Sequence, residues 1–382
     1  MPATTAVRLV SSQWLYNRLQ TLGGLTLLDT RSEQCYEHAH VWSFINLPPP
    51  PHTGRGLFLE NSSSDAWSAF DLDSVAPASA AAKERWDKRK LTDVVLYDAF
   101  GVYTPTSWAM TLATWLVQER LVSSVKLLTG GMQSFQRMYP FMMTTRKDVA
   151  SATPVRSTIA YTPTSSSSAA SSPDVAASPK VQTHALTFPH EILQGAVYLG
   201  NVWQASTPEV LRKMGITYVV SVTTLPMDEQ ARLKGITYHH VPMDTFMAAP
   251  APTLALLRQA QATGAKVLVH CVHGISASAA LVVHYVMHAH KTSLVTAYNH
   301  VLRCRNLIYP NPRYMRWLVQ AEIARYGAPS VSSVLDIDDL QNGLLPDSAL
   351  NPQDKLSVQL ALLFRRKCSD KLVATHMQSI FG

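Results

Sequence analysis

The segment best equipped for chemistry is Lys266 to Ser278, KVLVHCVHGISAS. An apolar run reads as a buried strand, His270 and Cys271 open a tight loop that contains Gly274, and a helix follows. A loop between a strand's end and a helix N-terminus turns several backbone N–H groups inward with the helix dipole behind them, which makes a cradle for an anion such as phosphate. The same groups would stabilise a thiolate on Cys271, and a stabilised thiolate is a nucleophile near neutral pH. A lone cysteine in such a turn is more commonly a buried structural residue; here its surroundings favour the nucleophile.

The elements that must position this loop alternate between strand and helix. Around the loop, VYLGN (197–201), TYVVSVT (217–223), TYHHVPM (237–243) and KVLVH (266–270) read as strands, with helices expected at 206–214, 252–262, 276–290, 293–303 and 312–326. A similar series precedes it: a helix over 7–20, a strand over Leu25 to Leu28 ending in Asp29-Thr30-Arg31, a strand DVVLYD (93–98), a helix over 107–121, the strand VKLLTGG (125–131) and a short helix near Phe135. Such alternation predicts parallel sheets flanked by helices, so the fold class is α/β with two α/β domains.

Composition sets the boundaries between them. Residues 148–183, with TSSSSAASSPDVAASP, have almost no large apolar side chains and read as a disordered Ser/Pro-rich linker. The first domain is expected over 7–145 with a loose insertion at about 48–82, the second over 186–328, and a tail over 329–382 carries an acidic DIDD patch and a helix from Gln353 to Cys368. With 47% apolar and 15% charged residues the 382-residue chain can build real cores, and a net charge of +7 without a long basic run does not point to nucleic acid. The four cysteines, Cys35, Cys271, Cys304 and Cys368, lie far apart with no CxxC pair, which argues against a disulfide framework and a zinc ribbon. Neither a signal peptide nor a membrane-spanning run is recognisable, so a cytoplasmic or nuclear compartment is expected, with no membrane partner.

Residues 189–327 resemble the catalytic domain of the dual-specificity protein phosphatases, a branch of the cysteine-dependent protein tyrosine phosphatases. The resemblance rests on Pro189, Ile192 to Leu193, VYLGN, LRKMGITYVVSVT (211–223), RNLIYPNPRY (305–314) and the loop itself. It implies that Cys271 is the nucleophile, that His270 helps to lower its pKa, and that Ser278 assists the leaving thiolate. Val272, His273, Gly274, Ile275, Ser276 and Ala277 would then form the phosphate-binding loop. The family's pattern places an arginine where this chain has Ala277. A guanidinium there grips two equatorial phosphoryl oxygens, and an arginine serving a phosphoryl transition state is worth about 10³–10⁵ in rate. His273 is the one basic side chain left in the loop and a weak substitute. The family's general acid lies three residues past an Ile/Val-Pro pair; here Val241-Pro242 is followed by Asp244 one residue early, either the acid or a loop-capping aspartate.

Residues 10–142 resemble a rhodanese-like domain of the kind that precedes the phosphatase domain in MAP kinase phosphatases, carried by LLDTR (27–31), YEHAHVWSFINLP (36–48), VVLYD (94–98) and VKLLTGGMQSFQRMYP (125–140). A catalytic rhodanese has a cysteine in the loop after its central strand. The loop here, DAFGVYTPT (98–106), has none, which implies a docking module. Lys83, Arg85, Lys88, Arg89 and Lys90 form a basic cluster suited to an acidic groove on a kinase, or else a solvated helix face. The linker holds Thr153-Pro154, Thr162-Pro163, Ser172-Pro173 and Ser178-Pro179, which suit a proline-directed kinase.

These features together suggest a protein that acts on or binds phosphotyrosine and phosphothreonine in phosphorylated signalling proteins such as MAP kinases, impaired in catalysis by Ala277 and needing neither metal nor cofactor. The alternatives are an active phosphatase that has re-supplied the missing charge and a non-catalytic kinase scaffold.

Overall fold

The computed structural model describes residues 7–21, 25–41, 44–49, 80–145, 187–243 and 246–330. The linker, most of the 48–82 insertion, the tail with Cys368, and Asp244 lie outside them. The chain divides into two compact units, one comprising Met1–Leu9 with Gly24–Leu186 and the other Val10–Gly23 with Thr187–Gly382.

The first unit is built on a five-stranded sheet. Its strands are β1 (Arg8–Val10), β2 (Leu25–Asp29), β4 (Ile45–Asn46), β5 (Asp93–Tyr97) and β6 (Ser124–Leu128), in the order β1-β6-β5-β2-β4. The β5–β6, β2–β5 and β2–β4 ladders are parallel, and a separate antiparallel pair joins β3 (His40–Val41) to β7 (Met143–Thr144). Val94, Val95 and Leu96 are buried, as a strand covered on both faces requires. Helices α2 (Glu33–His38), α3 (Ala80–Asp87), α4 (Trp108–Glu119) and α5 (Gly131–Met138) connect these strands. The expected helix over 7–20 is instead a short strand, β1, and a helix, α1 (Ser12–Leu19), separated by Ser11, whose side chain accepts from the N–H of Trp14. Residues 8–10 are drawn into the sheet by a partner more than a hundred positions away in sequence, which local periodicity does not reveal.

The second unit has a mixed sheet in the order β11-β10-β12-β9-β8. Its strands are β8 (His190–Leu193), β9 (Val197–Asn201), β10 (Ile216–Thr223), β11 (Thr237–Pro242) and β12 (Lys266–Cys271); only the β8–β9 ladder is antiparallel. Helices α6 (Val202–Ser206), α7 (Pro208–Met214), α8 (Ala251–Ala262), α9 (Ala277–His290), α10 (Leu294–Cys304) and α11 (Pro312–Tyr326) complete it. From Ala277 to Met287, α9 is buried without interruption, which makes it the central helix of this core.

Helix α1 packs within this second unit, although its sequence lies in the stretch expected to form the first domain. The reason is the edge strand β8. The Asn17 amide donates to the Glu191 carbonyl at 2.8 Å and accepts from the Glu191 N–H at 2.8 Å, and the Tyr16 hydroxyl donates to the Pro189 carbonyl at 2.7 Å. A side-chain amide thus occupies backbone groups that an edge strand would otherwise leave open to another chain.

Candidate active site

Strand β12 is the middle strand of its sheet, and Cys271 stands at its carboxyl end, where parallel sheets characteristically place their ligands. The loop that follows needs glycine at two facing positions. Gly274 has φ +67°, and a Cβ on it would lie 2.2 Å from the Gly200 carbonyl oxygen. Close approach of the loop to β9 therefore depends on Gly274, and Gly200 is hemmed in on its own side by the Gln204 amide.

Four consecutive loop carbonyls are held from outside. The Val202 N–H donates to the Val272 carbonyl (3.1 Å), Arg305 Nη2 to that of His273 (3.2 Å), Arg305 Nε to that of Gly274 (2.9 Å), and the Tyr309 N–H to that of Ile275 (2.7 Å). No described peptide bond is cis. In a trans peptide the C=O and N–H point in opposite directions, so carbonyls turned outward direct the N–H groups of the following residues inward. The Gly274 N–H accordingly donates to Cys271 Sγ at 3.3 Å. Backbone geometry thus turns loop N–H groups toward the sulfur, the arrangement that an anion cradle requires.

The Ser278 hydroxyl, fully buried on the first turn of α9, donates to Cys271 Sγ at 3.1 Å. Burial is the largest influence on the Cys271 thiol and opposes its ionisation. The Ser278 hydroxyl and the backbone N–H groups of Ser278, Gly274 and Ile275 together outweigh burial, and the thiol is held below its ordinary value. The Ser276 hydroxyl faces elsewhere in the network and accepts from the N–H of Asn311 at 3.0 Å. Val272 and His273 are exposed on the loop's rim, and Ile275 is half-buried. Ala277 is buried at the first position of α9, where its methyl brings no hydrogen-bonding group.

His270 differs from the expectation that it lowers the thiol pKa. Its Nδ1 lies 3.2 Å from the Cys271 carbonyl and its Nε2 2.7 Å from the Ser221 hydroxyl. A carbonyl only accepts, so Nδ1 carries the proton and Nε2 accepts from Ser221. Burial lowers the His270 pKa to about 4, against a smaller raising effect of that carbonyl. At neutral pH the ring is therefore uncharged, and it braces the Cys271 backbone without electrostatic support for the sulfur.

Arg305, just past the end of α10, opens RNLIYPNPRY, but the sequence does not assign it a role in the site: Arg303 two residues earlier is exposed, whereas Arg305 is buried. Besides the two loop carbonyls, its Nη1 donates to His190 Nδ1 at 2.8 Å. Burial lowers its pKa to about 10 while Cys271 pulls it upward, so the guanidinium remains charged at neutral pH. Burial, reinforced by Arg305, drives the His190 pKa well below its ordinary value, which keeps the acceptor on Nδ1 unprotonated.

In the first unit, Lys83, Arg85, Lys88 and Lys90 are exposed, with Lys88 paired to Glu84 at 2.8 Å. Arg89 is not a surface residue. It is fully buried, donates to Glu119 at 2.7 Å and stacks on Trp86 with 4.1 Å between guanidinium and ring centre. The exposed part of the cluster is thus four cations. The loop expected to carry sulfur in a catalytic rhodanese folds back through Asp98, whose carboxylate accepts from the N–H groups of Phe100 and Gly101, and it presents no thiol. Cys35 is exposed on α2. Among the described residues no group of three or more His, Cys, Asp or Glu side chains could hold a metal ion, and no helix is long and apolar enough to cross a membrane.

Residues 197–324 match the family model of the dual specificity phosphatase catalytic domain, and residues 11–138 match the rhodanese-like domain. The chain is 28% identical to dual specificity protein phosphatase 7 of Homo sapiens over 344 residues, covering 82% of this chain and 78% of that one. It is 26% identical to dual specificity protein phosphatase 6 of Rattus norvegicus over 374 residues, 86% of this chain and 94% of the relative. Dual specificity protein phosphatase Mpk3 of Drosophila melanogaster is 25% identical over 352 residues, 82% and 84% of the two chains. The rhodanese match includes α1, so sequence kinship and packing assign that helix to different units.

Proposed function

We propose, on the premise that this chain belongs to the dual-specificity protein phosphatases with a rhodanese-like domain ahead of the catalytic domain, that it binds phosphotyrosine- and phosphothreonine-bearing segments of signalling proteins, MAP kinases among them, and turns them over slowly or not at all. The observation that carries this reading is the contrast between an intact backbone cradle around Cys271 and a buried methyl group at Ala277. Backbone N–H groups suffice to hold a phosphoryl group. The transition state, with charge spread over three equatorial oxygens, needs the bidentate cation that alanine lacks. Arg305 does not replace it, because its guanidinium is turned to the loop's outer carbonyls and to His190.

In the reaction such a site would perform, the Cys271 thiolate attacks phosphorus, the bond to the ester oxygen breaks, and Asp244 protonates that oxygen. Water, giving a proton to the Asp244 carboxylate, then attacks phosphorus and cleaves the sulfur–phosphorus bond, which releases phosphate and the Cys271 thiolate, to which Ser278 donates a hydrogen bond. A second reading, a working phosphatase, draws support from the lowered Cys271 thiol, which is already primed for the first step. The four exposed cations Lys83, Arg85, Lys88 and Lys90 would meet an acidic groove on the kinase.

The test sets the natural protein beside Cys271→Ser and Ala277→Arg on a small aryl phosphate, with phosphopeptide binding measured in parallel. Phosphopeptide binding with negligible turnover, and a gain of activity in Ala277→Arg, is the expected result. Cys271-dependent turnover at an ordinary phosphatase rate in the natural protein selects the second reading, and absence of phosphopeptide binding in every variant leaves a kinase scaffold.

A further inference from the structure

Cations usually serve a phosphate site from the front, where they meet the anion. In this chain a buried cation stands behind the loop instead, thirty-one positions along the chain from the nearer carbonyl it holds. Arg305 grips the His273 and Gly274 carbonyls at 3.2 and 2.9 Å, and these belong to the two peptide planes whose other ends are the N–H groups of Gly274 and Ile275. Those are the two loop N–H groups that act on the Cys271 sulfur. The planes are trans, so whatever fixes the carbonyls on one side fixes the donors on the other.

The guanidinium itself is fixed in turn. His190, buried on β8, accepts from Nη1 at 2.8 Å, and the remaining ring nitrogen, Nε2, has no hydrogen-bond partner among the described residues. A buried N–H without a partner is destabilising, so the His190 ring is held in this orientation at a cost and keeps its acceptor on Arg305. Gly274 also allows the approach: a Cβ on it would lie 3.1 Å from Arg305 Nη2 as well as against Gly200.

We propose that Arg305 is a positioning residue of the phosphate loop, which holds the Gly274 and Ile275 N–H groups on Cys271 and so sets both the readiness of the thiol and the oxyanion affinity of a loop that has alanine at position 277. The proposal deepens the phosphate-binding reading and rests on it for the oxyanion; its thiol half needs no substrate. The hydrogen-bond partners of Arg305 are the two loop carbonyls and His190, not the sulfur. Its influence runs through the two peptide planes, reinforced by its charge beside the thiolate.

The experiment uses the full-length chain with Arg305→Met, which removes donors and charge, Arg305→Gln, which keeps donors without charge, and Arg305→Lys, which keeps the charge on a single nitrogen. Alkylation of Cys271 by iodoacetamide is followed across pH by mass spectrometry of the Cys271 peptide, with Cys271→Ser as the blank. Binding of inorganic tungstate is measured by calorimetry, and circular dichroism and thermal melting establish that each variant is folded. The midpoint of alkylation is expected to rise by about one pH unit in Arg305→Met, as loss of hydrogen bonds to a thiolate requires, with tungstate affinity at least about tenfold weaker and Arg305→Gln intermediate. A folded Arg305→Met with the natural midpoint overturns the proposal. Should that variant fail to fold, natural midpoints in both Arg305→Gln and Arg305→Lys overturn it equally. A natural protein that binds no tungstate, with a midpoint that still moves in the variants, removes the phosphate-binding reading and leaves the positioning role standing.

Discussion

The Ser278 hydroxyl points at the Cys271 sulfur from the first turn of the helix that opens behind the loop, 3.1 Å away and sealed from solvent. It is the leading influence that holds the thiol down against burial. Replacing Ser278 by Ala should raise the midpoint of Cys271 alkylation by about one pH unit. Thiolate therefore becomes scarcer at pH 6–7, and alkylation there slows while the rate at high pH is unchanged. Stopped-flow alkylation over that range is the check.

His270 predicts an acid sensitivity of definite sign. Its folded pKa of about 4 lies below the ordinary histidine value of 6.5, so between those limits the unfolded chain binds the extra proton and stability rises with pH. The contribution is complete above about pH 6.5 and is lost as pH falls toward 4; its size is on the order of 3 kcal/mol. Thermal melts of the natural protein and His270→Gln from pH 4 to 7.5 should converge at the acid end, with the variant lower in melting temperature at neutral pH.

The basic cluster of the first unit should separate cleanly. Arg89→Ala breaks a buried pair with Glu119 and removes a ring stack, and should lower stability by about 3–5 kcal/mol. Lys83→Ala, Lys88→Ala and Lys90→Ala together should change stability by less than about 1 kcal/mol, the ordinary range for surface changes. Docking to a kinase, measured by calorimetry with a purified MAP kinase, should weaken at least tenfold in the triple variant; unchanged affinity identifies the cluster as a solvated face.

Asn17→Ala strips a bidentate partner from Glu191 and leaves the backbone N–H of an edge strand bare, while the Glu191 carbonyl keeps the Gln13 amide as a donor at 3.2 Å. A loss of about 1–3 kcal/mol follows from one unmet buried group. A fragment that starts at residue 187 lacks α1 altogether, and it should melt earlier than the full chain and self-associate through β8 in analytical ultracentrifugation. Equal melting temperatures for fragment and full chain would refute this.

Legibility in the sequence followed the range of the interactions. Val267 to Val269 and Val219 to Val222 announce their strands because burial between neighbouring strands selects apolar runs, and the Cys271 loop is visible because Gly274 and the flanking strand and helix are local signals. The thiol and its Ser278 donor lie in that same stretch. Arg305 and Ser221 lie in segments that carry the family resemblance, yet only the fold brings them to the site, and nothing local gives them a role there. The charge state of His270 is hidden for a related reason: the family resemblance implies that it lowers the thiol pKa, and only the enclosing core reveals that the ring stays neutral. Arg89 was grouped with its basic neighbours because charge is read along the chain, while Trp86 and Glu119, which bury it, are met across space.

Helix α1 gives the chain a schedule as well as a shape. It is made first, yet the strand whose edge it covers begins more than 170 residues later, as the Asn17 to Glu191 separation records. At ~5–20 residues per second, roughly 10–35 s of synthesis lie between them. Throughout that interval the ribosome carries a helix whose apolar and amide face has no strand to receive it. The second unit therefore cannot be completed from its own later residues alone: its edge strand is received by a helix that left the ribosome long before it.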